Sequence, residues 1–133
     1  ENQAITTGSG HILLVDDEQG LVALGAEMLC ERGYQVTTET NSLAALERFA
    51  ANPEAYDLVV TDQTMPNLTG DQLASRLLKI RPDLPIILCT GYSSKIDQQQ
   101  ALAIGIQEFL QKPVEIAQLT AAISRALNLK PSS

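Results

Sequence analysis

The sequence predicts a doubly wound α/β fold, in which a parallel sheet carries helices on both faces. Two observations point there. Short apolar runs alternate five times with stretches of helical period. The runs are mostly continuous rather than alternating, as in strands buried on both sides. At 133 residues and 44% hydrophobic, the chain is sized for one domain with an ordinary core.

His11 to Val15 reads as the first strand, cut off by Asp16-Asp17. Leu21, Val22, Gly25, Met28, Leu29 and Arg32 follow at spacings of three and four, one helical face that Gly33 stops. Tyr34 to Glu39 alternates and reads as a second strand. Asn41 or Ser42 caps a helix through Ala51, with Leu43, Leu46 and Phe49/Ala50 on its inner side, and Asn52-Pro53 breaks it. Asp57 to Thr61 is a third strand, ending at Asp62. Pro66-Asn67 and Gly70 mark a loop. Leu73, Leu77 and Ile80 give a third helix, ended by Arg81-Pro82. Pro85 to Cys89 is a fourth strand. Ser93 or Ser94 starts a fourth helix through Ala103, closed by Gly105. Ile106 to Leu110 is a fifth strand before Lys112-Pro113, and Ile116, Leu119, Ile123 and Leu127 form the last helical stripe.

The formal charge of -7 argues against nucleic-acid binding through this domain, which needs clustered Lys and Arg. Cys30 and Cys89 lie in apolar segments without metal-ligand spacing, and are expected to be buried, reduced thiols. No apolar run reaches the roughly 20 residues of a membrane span, and no signal peptide precedes the first strand. A cytoplasmic location with no membrane contact is expected. Residues 1–10 read as linker, 11–128 as the domain and 129–133 as a tail.

In an open parallel sheet, ligands bind at the carboxyl ends of the strands. Asp16 and Asp17 follow the first strand, Asp62 the third, Thr90 the fourth and Lys112 the fifth. Three carboxylates, a hydroxyl and an amine therefore share one rim. Clustered carboxylates repel, and a magnesium ion resolves that repulsion with oxygen ligands. Asp17 and Asp62 are read as direct ligands and Asp16 as acting through water. Asp16 and Asp17 serve together only if the chain leaves strand geometry there. One carboxylate can then attack a phosphoryl donor, with Lys112 neutralising charge and Thr90 donating to a phosphoryl oxygen. Gly91 leaves room for the incoming group, and a cis Lys112–Pro113 bond would aim the amine inward. Taken singly, each residue has a plainer explanation: a turn cap, a turn hydroxyl, a solvated amine. Their convergence on one rim is what argues for chemistry.

Val15-Asp16-Asp17-Glu18, Thr61-Asp62-Gln63-Thr64-Met65-Pro66-Asn67-Leu68-Thr69-Gly70, Cys89-Thr90-Gly91 and Phe109-Leu110-Gln111-Lys112-Pro113 together resemble the bacterial response-regulator receiver family, from about His11 to Leu127. The resemblance implies a flavodoxin-like sheet of order 2-1-3-4-5. It makes Asp62 the phospho-accepting residue and Asp16 and Asp17 the acidic pair for magnesium, with the Thr64 backbone carbonyl completing the metal site. It makes Thr90 and Phe109 the switch pair and Lys112 the phosphate partner. Such a domain catalyses its own aspartyl phosphorylation and dephosphorylation without being a classical enzyme. Thr64 and Tyr92 stand where the family tunes phosphoryl lifetime, and neither orients water well, so slow self-dephosphorylation is expected. Implied partners are a sensor histidine kinase or a histidine phosphotransfer domain, and a homodimer on activation is one option the resemblance offers.

No effector module follows the last helix within the sequence. A stand-alone regulator and a receiver from a larger protein are both consistent with that. The stretch from Leu88 to Ser93 and its spacing to Pro113 resemble receivers of hybrid sensor kinases. A flavin carrier of similar topology is disfavoured, because Asp16-Asp17-Glu18 occupies the place of its phosphate loop. An aspartate-nucleophile phosphatase wants an acid where Thr64 stands. A receiver-like docking module that does not use phosphorylation is the remaining alternative, and the complete rim set argues against it.

Overall fold

The computed structural model describes residues 9–91 and 96–128. Within them, strands β1 (His11–Val15), β2 (Gln35–Glu39), β3 (Leu58–Asp62), β4 (Ile86–Thr90) and β5 (Glu108–Gln111) alternate with helices α1 (Gln19–Cys30), α2 (Ser42–Ala51), α3 (Gly70–Ile80), α4 (Gln98–Ile104) and α5 (Ile116–Asn128). All strand neighbours pair in parallel, in the order β2-β1-β3-β4-β5. This is the predicted flavodoxin-like sheet.

Successive strand residues point to opposite faces, so each central strand feeds two cores. Leu13, Val15, Val59, Ile86 and Leu88 meet Phe49 of α2, Leu73 and Leu77 of α3 and Ala101 of α4. Ile12, Leu14, Leu58, Val60, Ile87 and Cys89 meet Val22 and Leu29 of α1 and Ala122, Ile123 and Ala126 of α5. Burial on both faces is why these strands read as unbroken apolar runs. Every residue of β3 and β4 is buried.

Three strands lie further along the chain than expected: β3 and β4 by one residue, and β5, expected over 106–110, at Glu108–Gln111. β3 and β4 include Asp62 and Thr90 as their last residues instead of ending before them, because Asp62 still pairs with Cys89 across the ladder. The expected inner faces also shift. In α2 the buried positions are Ser42, Ala45 and Phe49; Phe49 is buried as expected and Leu46 packs partly buried against the core, but Leu43, expected beside them, is 44% exposed. Leu21 of α1 and Ile80 of α3 are likewise exposed. Asn41 is the α2 cap, its carbonyl oxygen Oδ1 accepting from the N–H of Leu43 and Ala44. Asp97 caps α4, accepting from Gln100 N–H at 2.8 Å, while Ser93 and Ser94, expected to start that helix, lie outside the described residues. Gly105, at φ 116°, ends α4 in the left-handed region.

Cys89 is buried as expected, but Cys30 is exposed at the end of α1. Burial pushes the Cys89 thiol up to about 12, far from the thiolate that reacts. A disulfide-exchange reagent is therefore expected to label one thiol per folded molecule, at Cys30, and two in denaturant. Rapid labelling of both under native conditions would contradict the buried setting of Cys89. No helix among the described residues is long and apolar enough to cross a membrane.

Candidate functional site

Chain geometry at the carboxyl rim begins with the exit from β1. Asp16 N–H still bonds the Glu39 carbonyl at 3.2 Å, extending the β1–β2 ladder by one residue. Asp16 Oδ1 then accepts from Glu18 N–H at 3.0 Å, closing a local turn. This departure from strand geometry lets the two neighbouring acids serve one site. Asp16, Asp17 and Asp62 each offer a carboxylate oxygen, and the three lie within 4.8 Å of one another. Hard, anionic oxygens at this density fit a hard divalent cation.

Lys112 reaches in from the end of β5. Its Nζ lies 2.9 Å from Asp62 Oδ1 and 3.2 Å from Asp16 Oδ2. Its own N–H donates to the Thr90 carbonyl at 2.7 Å, tying the ends of β4 and β5 together. The Lys112–Pro113 bond is cis. Asp62 is 6% exposed. Burial raises its pKa, Lys112 pulls the other way, and the negative charges of Asp16 and Asp17 leave the net shift upward. Burial of the Lys112 amine lowers its pKa, but Asp62 and Asp16 outweigh this, so the ammonium is favoured.

Thr90 is buried at the tip of β4, the strand next to Asp62. Phe109 lies in β5 opposite Leu88 and is half-buried against the α2–α3–α4 core. Thr64 is exposed in the loop after β3, and Gly91 lines a cleft with Asp62 and Lys112. Thus Asp16, Asp17, Asp62 and Lys112 converge directly, whereas Thr90 and Gly91 lie at the end of the neighbouring strand, Thr64 in the loop after β3 and Phe109 within β5. Tyr92 lies outside the described residues.

Sequence reasoning missed what holds this rim. Gln63, directly after Asp62, donates from Nε2 to Asp71 Oδ1 at 2.9 Å and accepts at Oε1 from Asp71 N–H at 2.8 Å. The Thr69 hydroxyl donates to the same Asp71 oxygen at 2.6 Å. Burial works to raise the Asp71 pKa, but these hydrogen bonds outweigh it and lower it. Further along the loop, the buried Ser42 hydroxyl donates to the Pro66 carbonyl and accepts from Leu68 N–H, both at 3.0 Å. Met65 and Leu68 plug into the core beside it. Asn67 takes a positive φ of 73°, which Asn tolerates better than most residues. Nothing in the spacing of Gln63, Asp71 or Ser42 announces these contacts.

Beside the rim, a cleft of about 490 Å³ runs between α1 and α5. Leu14, Val60 and Cys89 form its floor, and Leu21 and Leu24, 47% and 53% exposed, stand on its α1 side.

Residues 12–124 match the response regulator receiver domain. The chain belongs to that family. The receiver is 38% identical over 117 residues to the transcriptional regulatory protein GlrR of Escherichia coli, covering 88% of this chain and 26% of that one. It is 32% identical to the sensor kinase CckA of Brucella abortus, covering 91% of this chain and 13% of that one. It thus spans about a quarter or less of these relatives. A crystal structure of a response regulator receiver domain protein from Clostridium thermocellum superposes with a TM-score of 0.85 at 33% identity, covering 89% of this chain and 94% of that one. Family membership assigns the receiver to phosphorelay signalling.

Proposed function

We propose that the receiver accepts a phosphoryl group on Asp62 in a magnesium-dependent reaction, from a phosphohistidine of a sensor kinase or phosphotransfer protein. The observation that carries this reading is the ion pair of the Lys112 ammonium with Asp62 amid two further carboxylates. Asp16, Asp17, Asp62 and the Thr64 backbone carbonyl would hold the ion, which when bound offsets the charge of the three acids and of the phosphoryl oxygens. An Asp62 carboxylate oxygen attacks phosphorus in line, and the bond from phosphorus to the donor's imidazole nitrogen breaks. Lys112 and the Thr90 hydroxyl stabilise charge on the phosphoryl oxygens.

A phosphoryl group adds about one and a half to two negative charges. Drawing Thr90 and Lys112 toward it shifts the end of β4 and lets Phe109 pack further in. The face of α4, β5 and α5 is then the output surface. The exposed Leu21 and Leu24 beside the rim support a protein as the natural donor, because apolar side chains left in water gain most from being covered. Replacing Leu24 by Glu is expected to slow transfer from a protein donor roughly tenfold while labelling by acetyl phosphate persists. Equal transfer to both forms would remove α1 from the docking surface. The similarity to a sensor kinase supports a setting inside or beside such a kinase.

The function itself is tested by incubating the protein with magnesium and acetyl phosphate and measuring intact mass. A gain of one phosphoryl group, abolished by a chelator, is expected. No gain from acetyl phosphate or from any phosphorylated kinase, with magnesium bound, would favour the docking module that does not use phosphorylation.

A further inference from the structure

The loop from residue 63 to 69 carries Thr64, and its two halves are held differently. Its far half is anchored by Met65 and Leu68 in the core and by the Ser42 hydroxyl. Its near half leaves β3 with Gln63 N–H on the Cys89 carbonyl at 2.9 Å and Gly70 N–H on the Gln63 carbonyl at 2.9 Å. Thr64 itself is exposed, so its own side chain has little packing to fix it. What remains is the two-point bond between the Gln63 amide and Asp71, which the Thr69 hydroxyl reinforces. A primary amide facing an acceptor and a donor on one residue fixes both distance and orientation.

We propose that Gln63 and Asp71 act as one positioning device for the metal site: by clamping the segment that carries Thr64 to the first turn of α3, they set how tightly the rim takes a divalent cation. This rests on the magnesium reading above. Neither residue touches the reacting atoms. Partners one step removed from a metal commonly change its affinity by about 10–100-fold.

The test is isothermal titration of the chelator-treated protein with magnesium chloride. Asp71→Ala, which removes the shared acceptor, is expected to bind magnesium roughly tenfold more weakly than the parent. Asp71→Asn keeps an Oδ1 acceptor for Gln63 and Thr69 while losing the charge, and is expected to bind nearly as the parent does. This variant keeps the idea testable if the alanine variant fails to fold. Gln63→Met, similar in size but without the amide, is expected to match Asp71→Ala, and the double variant to be no weaker than either single one. Affinity unchanged in Asp71→Ala and Gln63→Met would overturn the proposal. So would Asp71→Asn as weak as Asp71→Ala, since the effect would then follow charge alone. A parent that binds no magnesium would sink the metal reading itself, and the clamp's role with it.

Discussion

Asp62→Asn is expected to take up no phosphoryl group and, in chelator at neutral pH, to melt a few degrees above the parent. The first half follows from losing the nucleophile: an amide oxygen carries no charge with which to attack phosphorus. The second half follows from linkage. Burial, with Asp16 and Asp17 nearby, raises the Asp62 pKa despite Lys112. The folded state then holds that proton more tightly than the unfolded chain does. Stability from this group is fully present below the unfolded value of about 3.9 and is lost as pH rises through the folded value. At neutral pH the parent has lost it, whereas the neutral Asn has nothing to lose. Lys112 also pairs with Asp16, at 3.2 Å, a partner that the substitution leaves in place. Thermal melts at several pH values check this. The gap between variant and parent should open as pH rises from the acid side, and an Asn variant less stable at neutral pH would mean that the Lys112–Asp62 pair outweighs the repulsion.

The second large effect is expected at Gly70. A Cβ there would press on the Asp62 carbonyl oxygen and lie 2.6 Å from Leu88 Cδ1 and 2.9 Å from Gln63 Cα. Two of these three obstacles are backbone and cannot rotate away. Gly70→Ala should therefore cost at or above the upper end of the roughly 1–3 kcal/mol usual for overpacking. It should also displace the backbone under Asp62, so phosphoryl uptake should fall even in molecules that remain folded. Urea titration with the mass assay measures both. An alanine variant as stable as the parent would show that α3 can move away from β3 freely.

Gly70 also marks the limit of what the sequence discloses. As a glycine near Pro66-Asn67 it reads as a loop signal, yet it is the first residue of α3, and its smallness serves a helix–strand contact. Periodicity found the five strands and five helices because both faces of the sheet are covered and every strand is short. The rim acids and Lys112 were legible because chemistry gathers at strand ends, where burial cannot explain a charge. Contacts between distant segments were not legible. Ser42 looks like a cap but bonds residues 24 and 26 positions away. Buried Arg81 looks like a helix terminator, yet its guanidinium donates to the carbonyls of Pro53 and Tyr56. Leu43 and Cys30 show the opposite failure: apolar type implied burial, but helix phase turned both outward.

The most direct measurement is the position of the phosphoryl group. After phosphorylation with acetyl phosphate and magnesium, borohydride reduction converts an aspartyl phosphate to homoserine, which tandem mass spectrometry of the digest can locate. Homoserine at position 62 alone is the predicted result. Homoserine at 16 or 17, or phosphate on a residue away from the rim, would contradict the assignment of Asp62 as the acceptor.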